Sequence, residues 1–363
     1  MKKALVVDWL DKYGGAERVL TSLQNVFQFN ETHALVNIMK EKDFKKIFPE
    51  NYHVQTTFLQ KIGNYFRLFF FVFHYFTSKI KIDKEVDLII SSSHAVAKGV
   101  KKSSAKQLHI SYFQARNFKY IWDEVDLYFG KTAFLLKPLI NLLRKIDVKQ
   151  AQRPDFIISN SKFVQNWVKQ TYNRDSVVIY PPVSLEHFSF CDIKEDYYVA
   201  IGRIVPYKRF DLVVETFNQL NKKLIVIGDG DQLSKLKSIA KPNIHFTGYL
   251  DSAEVNKILS KAKAFIHIGL EDFGIAPIEA QACGTPVIAY KAGGVLETVV
   301  NGKTGILFNE QTTESLITAI DEFENKTFNL SEIRNHAFTF SKERFETEIR
   351  EFVEKKKQSS LKL

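Results

Sequence analysis

The chain has 363 residues, 45% hydrophobic and 25% charged, which are globular proportions and length enough for two domains, each with its own core. Fifty-one Lys and Arg against 41 Asp and Glu leave a net charge of +10, which admits an anionic substrate, an anionic membrane surface or nucleic acid as partner. Cys191 and Cys283 lack C-x-x-C or Cys/His spacing, so neither a zinc site nor a disulfide framework is indicated, and a reducing cytoplasm fits best.

In chain order, the start from Met1 to Asp8 is too short and too soon acidic for a signal peptide, and reads as a first strand over Ala4–Val7. Asp11-Lys-Tyr-Gly-Gly-Ala-Glu-Arg18 joins that strand to a helix, and Gly14 and Gly15 permit close backbone approach to a ligand or make a plain turn. Tyr65 to Phe76 contains Phe69-Phe-Phe-Val-Phe73, but Arg67 and His74 interrupt it and it falls far below the ~20 apolar residues of a membrane span. It reads as a buried helix, with an interfacial membrane helix as the alternative. Strands are expected over Val86–Ile90, Leu108–Tyr112 and Phe156–Ile158. His94, just after the first of these, is either structural or a cleft contact.

A rigid Pro181-Pro182 step after a strand marks the domain break. Beyond it, strands are expected over Tyr198–Ile201, Leu224–Ile227, Ile244–Phe246, Ala264–Ile268, Val287–Ala289 and Ile306–Phe308, with helical stretches between. Such alternation means α/β architecture with mostly parallel sheets. Gly202 ends one strand and delivers Arg203, with Lys208 and Arg209 where the next helix begins. Cations oppose the dipole there, so their placement makes sense around an anion. Gly248 ends another strand, whose backbone could read a nucleobase.

The segment Glu271-Asp-Phe-Gly-Ile-Ala-Pro-Ile-Glu279 sets two carboxylates beside a loop-to-helix junction with Pro277 in the first turn. The free amides of such a helix start suit a phosphate. Glu279, read as lying in the first turn, either caps its helix or meets a ligand; Glu271 precedes the helix and reads as free for one. Asn301-Gly-Lys-Thr304 is not a P-loop, because Glu297 stands where that motif needs glycine, and G-x-G-x-x-G is absent. From Ser341 to Lys357, Phe345, Ile349 and Val353 form one apolar stripe of a packed terminal helix.

The turn Gly14 to Glu17 (G-G-A-E), G-R-x-x-P-Y-K-R from Gly202, the Glu271–Glu279 segment and Gly293-Gly-Val-Leu-Glu297 together resemble the retaining GT-B glycosyltransferases of family four. The resemblance implies two Rossmann-like, doubly wound domains facing a central cleft. Residues 1–182 would be the acceptor-binding domain, 183–340 the nucleotide-sugar domain, and 341–363 a helix crossing back to the first. It implies a nucleotide-diphospho-sugar donor, a glycan or lipid-linked acceptor, and no metal, cofactor or nucleic acid. Arg203 and Lys208 would hold the diphosphate, Glu271 the sugar hydroxyls and Glu279 the ribose. Backbone at Gly202, Gly248, Phe273, Gly274, Ile275 and Ala276, with Gly14 and Gly15 opposite, would complete the donor site.

Gln114 stands where the family often has a histidine that meets the transferred sugar. An amide can hydrogen-bond a hydroxyl but carries no proton, so His94 and Gln114 are read as sugar or acceptor contacts only. Ser91 to Gly99 (S-S-S-H-A-V-A-K-G), with E-A-Q-A-C-G-T-P-V-I-A-Y from Glu279, most resembles mannosyltransferases of O-antigen and surface-polysaccharide assembly. Transfer from a UDP-sugar, a sugar-nucleotide epimerase and a non-catalytic nucleotide or nucleic-acid binder remain alternatives. The basic, Phe-rich first half fits peripheral contact with an anionic inner leaflet. A glycosidase-like pair of Glu271 and Glu279 fits poorly, since eight helical residues span ~12 Å against the ~5–5.5 Å of a retaining pair.

Overall fold

The computed structural model describes residues 1–360. They form two units: Met1–Pro182 together with the chain from Phe345 onward, and Val183–Arg344. Among the described residues the first unit holds seven strands: β1 (Lys2–Val7), β2 (Glu31–Ala34), β3 (Val54–Thr56), β4 (Val86–Ser93), β5 (Leu108–Phe113), β6 (Phe156–Ser159) and β7 (Val177–Val178). They pair in parallel in the order β3-β2-β1-β4-β5-β6-β7. β4 is buried at all but one residue, as a central parallel strand covered on both faces must be. Register sets Val7 beside Ser92 and Ser93 beside Phe113, so Asp8, His94 and Gln114 emerge together at the carboxyl edge.

The second unit holds β8 (Tyr198–Ile201), β9 (Leu224–Ile227), β10 (Ile244–Gly248), β11 (Ala264–His267), β12 (Val287–Tyr290) and β13 (Gly305–Phe308). These are also parallel, in the order β10-β9-β8-β11-β12-β13. In both sheets the winding direction reverses once, between β1 and β4 and between β8 and β11. Loops diverge at such a point and open a crevice at the carboxyl ends of the strands. The residues that leave β8 and β11 are Gly202-Arg203 and the Glu271 loop.

Phe345, Ile349 and Val353 of the Lys342–Ser360 helix lie in the core of the first unit with Leu20, Leu88 and Ile110. Each fully buried side chain of this size contributes roughly 1.5–3 kcal/mol, which anchors the helix there. Residues 361–363 of the expected terminal segment lie outside the described residues.

Sequence reading missed β2 and β3, which are four and three residues long and carry Glu31, Thr32, His33 and Gln55 in place of an apolar run; the strand expected before Pro181 is β7. The Tyr65–Phe76 segment is not the buried helix expected. Phe58–Val72 is a chain of 3₁₀ turns broken at Gly63 and Phe69, followed by a helix over Phe73–Lys79. Phe66 and Phe73 are buried, whereas Tyr65 and Leu68 are 71% and 69% exposed. Consecutive apolar residues point around a helical axis rather than along one face, so five in a row cannot all reach the core.

Candidate functional site

In the second unit, Gly202 turns the chain out of β8, and Pro206–Lys208 form a short 3₁₀ turn before the Phe210–Leu220 helix. Lys208 lies back across the strand ends because two glycines make room. A Cβ on Gly202 would stand 3.1 Å from its Nζ, and one on Gly269 would stand 3.2 Å from its Cα. The ammonium reaches Glu271, with Lys208 Nζ 2.5 Å from Oε1. The carboxylate read as free is therefore paired, a correction that sequence spacing could not supply because 62 residues separate the partners.

Burial pushes the Lys208 ammonium down, but the adjoining Glu271 carboxylate outweighs it and holds the pKa above the ordinary lysine range. The exposed Arg203 acts on the same ammonium with opposite sign, so two cations share this strand end. His267, at the end of β11, is buried and held below the usual imidazole range by that burial, which leaves it neutral beside the pair.

The Glu271 loop is clamped from below. Gly294 donates its N–H to the Glu271 carbonyl at 2.9 Å, and a Cβ on Gly294 would come within 2.3 Å of the Phe273 Cα. Gly293 adopts φ +73°, where a side chain would be strained. Sequence reading quoted this pair without giving it a task. Gly294→Ala is expected to displace the loop and lower the melting temperature by a few degrees. A melt overlaying that of the parent protein would refute the clamp.

The Ile275–Ala282 helix starts at Gly274, in a left-handed conformation. Pro277 takes the third helical position, and the preceding amides have no intrahelical partner by construction. Glu279 is the fifth helical residue, not a first-turn one, so the capping role considered for it is absent. The Phe273 side chain is buried, with its ring 5.8 Å from that of Phe340, which leaves its backbone as the part a ligand could meet. Gly248 ends β10, and its carbonyl accepts the N–H of Gly228 at 2.8 Å. Arg203, Lys208, Glu271 and the Gly274–Ala276 backbone thus lie on two loops that leave neighbouring strands. Chemically this is a place for an anion beside a hydroxyl-bearing group.

The first unit carries a second cluster at its own reversal point. Asp8, wholly buried after β1, accepts the backbone N–H groups of His94, Ala95, Val96 and Ala97 at 2.6, 3.0, 2.6 and 2.7 Å. Its Oδ2 also stands 3.2 Å from His94 Nδ1. A carboxylate only accepts, so this contact makes Nδ1 the protonated nitrogen and turns Nε2 outward. Trp9 packs edge-on against the imidazole at 4.4 Å. A cavity of about 200 Å³ opens here, lined by Trp9, His94, Arg116, Lys119, Tyr120 and Tyr128 among others. Asp8 and Trp9 were not anticipated; a carboxylate just past a first buried strand was the available signal.

Gln114 donates through Nε2 to Ser92 Oγ at 2.8 Å and to the Ala16 carbonyl at 3.3 Å, which ties the end of β5 to the first helix. Both bonds use the amide nitrogen, so the function left to this side chain is acceptance at Oε1. Gly14 precedes the Gly15–Phe27 helix, and its N–H donates to Glu17 Oε2 at 3.0 Å, half of a capping box that glycine, without a side chain, cannot complete. Burial, with the nearby Asp11 charge adding to it, raises the Glu17 carboxyl to about 7 against the opposing backbone hydrogen bonds. A raised carboxyl pKa stabilises the fold below the unfolded value of 4.5, and that contribution is lost as pH rises through 7. Glu17→Gln should therefore gain stability over the parent protein at pH 8 but not at pH 4. Denaturation curves showing the same difference at both pH values would contradict the shift.

Among the described residues, no group of three or more His, Cys, Asp or Glu is arranged to hold a metal ion, and no helix is long and apolar enough to cross a membrane.

Two Rossmann-like units of this strand order define the GT-B fold of glycosyltransferases. HepE of Anabaena, solved in complex with UDP and glucose, shares it at a TM-score of 0.71 and 18% identity, over 98% of this chain and 100% of that one. Residues 187–339 match the family model of glycosyl transferases group 1. The O-antigen chain mannosyltransferase RfbU of Salmonella typhimurium is 26% identical over 225 residues, 59% of this chain and 62% of that protein. The D-inositol 3-phosphate glycosyltransferase of Rhodococcus jostii is 44% identical over 173 residues, 41% and 38% respectively. Matches to the foremost curated relatives span between 50% and 62% of those proteins' own lengths.

Proposed function

We propose that the protein is a retaining glycosyltransferase that takes mannose from GDP-mannose and places it on a glycan or lipid-linked oligosaccharide in O-antigen or other surface-polysaccharide synthesis, at the inner face of the plasma membrane. The observation that carries this reading is the Lys208–Glu271 pair beside the start of the Ile275–Ala282 helix, at the winding reversal of the second sheet. Arg203, Lys208 and the Gly274–Ala276 amides would hold the diphosphate. Glu271 would accept from the sugar hydroxyls, and Glu279 would reach the ribose. No metal or cofactor enters the scheme.

In the reaction, the bond from the anomeric carbon to the diphosphate breaks through an oxocarbenium-like state. The acceptor oxygen bonds to that carbon on the same face, and its proton passes to the departing phosphate oxygen. Charge grows on the leaving group, and preorganised cations and amides stabilise it most in the transition state. Glu271 holds Lys208 extended and protonated for that task. In the first unit, His94 Nε2, Gln114 Oε1 and the Trp9 face would receive the acceptor.

RfbU, a mannosyltransferase by name, supports the mannosyl reading, whereas HepE binds UDP and glucose and keeps a UDP-sugar donor as the second reading. A thermal-shift panel of GDP- and UDP-sugars separates them, since a tight donor raises the melting temperature by mass action. Product formed only when an acceptor is present distinguishes transfer from epimerisation; stabilisation by none of the donors overturns the proposal. Lys208→Ala should weaken nucleotide-diphosphate binding roughly 10- to 100-fold, the worth of one charge-assisted contact, and calorimetry with unchanged affinity would remove Lys208 from the site.

A further inference from the structure

Two segments of the first unit have a composition that the proposed reaction leaves unexplained. Phe58 to Lys79 holds Lys61, Arg67 and Lys79 and not one Asp or Glu; Leu127 to Ile146 holds Lys131, Lys137, Arg144 and Lys145, again without an acid. Seven cations without a carboxylate, in a chain whose whole excess is +10, mark a concentrated field rather than general solubility.

Both segments pack their inner residues into one core, where Phe66 and Phe73 meet Ile140 and Leu143. Their outer residues stay in water. Tyr65, Leu68 and Phe71 are exposed on the first, and Leu127, Phe134 and Leu135 on the second; Phe134 and Leu135 are 79% and 75% exposed. A row of rings joins the segments, with Phe69 to Phe71 at 6.1 Å, Phe71 to Phe70 at 5.9 Å and Phe70 to Phe129 at 5.2 Å. Apolar side chains on this scale are costly to leave in solvent and mark an interaction surface.

The cations are placed among these side chains. Lys61 lies 5.3 Å from the Phe58 ring and Lys79 lies 5.4 Å from the Tyr75 ring, and Lys137 and Lys145 are exposed along the Ala133–Gln150 helix. Acids stand at the margins: Asp126 precedes the second segment, and Asp11 pairs with Arg67. Aromatic and aliphatic tips mixed with lysines match a layered partner, apolar below and anionic at its surface. A folded protein partner would not need a positive field of this breadth.

We infer that the face formed by Phe58–Lys79 and Leu127–Ile146 docks on an anionic lipid bilayer, inserting its exposed rings and leucines while the lysines meet the headgroups. Docking does not depend on the transfer reaction, and its test contains no sugar nucleotide.

Flotation of the whole protein with vesicles of phosphatidylcholine holding about one-third phosphatidylglycerol should recover at least about tenfold more protein than vesicles of phosphatidylcholine alone, and ~0.5 M salt should remove most of that difference. Leu68→Glu with Leu135→Glu, and separately Lys137→Glu with Lys145→Glu, should each lower anionic-vesicle binding about tenfold while melting like the parent protein. Since all four side chains are exposed, a melt that does shift is answered by Lys137→Gln with Lys145→Gln, which keeps the stems and removes the charge. No binding to either vesicle, equal binding to both, or parent-like binding by the folded variants overturns the inference. So does a concentration-dependent dimer that is lost in Leu68→Glu with Leu135→Glu and has no vesicle affinity, since the face would then pair with a second copy.

Discussion

On the proposed reading, Glu271→Gln should lower turnover about 10²- to 10³-fold and weaken nucleotide-diphosphate binding by less than Lys208→Ala does, while the melting temperature stays within a few degrees. The carboxylate lies 2.5 Å from Lys208 and is held by the Gly293-Gly294 turn beneath its loop, so its loss touches two functions at once. A neutral amide accepts more weakly from sugar hydroxyls. It also stops drawing the ammonium across the strand ends, and Lys208 then points its charge elsewhere. The proposed diphosphate contacts at Arg203 and the helix-start amides would remain, so binding weakens without being lost. Near-parent turnover in a folded Glu271→Gln protein would remove Glu271 from the reaction.

Asp8→Asn is expected to be the most destabilising single exchange in the first unit. One carboxylate accepts four backbone amides, two on each oxygen. An asparagine turns an NH₂ toward two of them and orphans both, at about 1–3 kcal/mol each, which lowers the melting temperature by on the order of 10 °C. His94→Ala supplies the contrast, because the imidazole is partly exposed and makes none of those backbone bonds through its ring. It should melt close to the parent protein and raise the KM for acceptor with little change in that for donor. A chemical or thermal melt of Asp8→Asn overlaying that of the parent would show that the 94–97 turn stands without this carboxylate.

Most of the second unit was legible in the chain. β8, β9 and β12 are contiguous apolar runs of four residues next to glycine or proline, and β10, β11 and β13 still hold enough apolar residues to be read as strands. The first unit was less so. β2 and β3 are short strands toward one sheet edge, whose stability comes from pairing with β1 rather than from their own side chains. The Phe-rich segment misled for a related reason: hydrophobicity counts residues, whereas burial depends on which way each one points, and Gly63 and Phe69 break the helical phase.

The residues expected to form the site were found by local rules, glycines where the chain turns out of a strand and charges where a helix begins. What each of them touches was not legible. Glu271 read as free because no local partner exists; Lys208 lies far upstream and meets it only because β8 and β11 become neighbours at the winding reversal. Glu279 read as a first-turn residue, a cap or a ligand contact, and is the fifth residue of its helix. Asp8 had only a faint local mark, a carboxylate just past a buried strand, since the four amides it receives come from 86 to 89 residues away.

By itself, then, the sequence determined the class of architecture, the boundary near Pro182, the residues at the strand ends and the packing stripe of the terminal helix, because each of these is set by short-range periodicity and turn chemistry. Tertiary structure alone decided that Lys208 holds Glu271, that Asp8 holds the His94 turn, and that two distant acid-free segments share one core and leave one aromatic face outside. Those outcomes depend on which strands become neighbours, and pairing between strands is a long-range choice that local propensity does not encode.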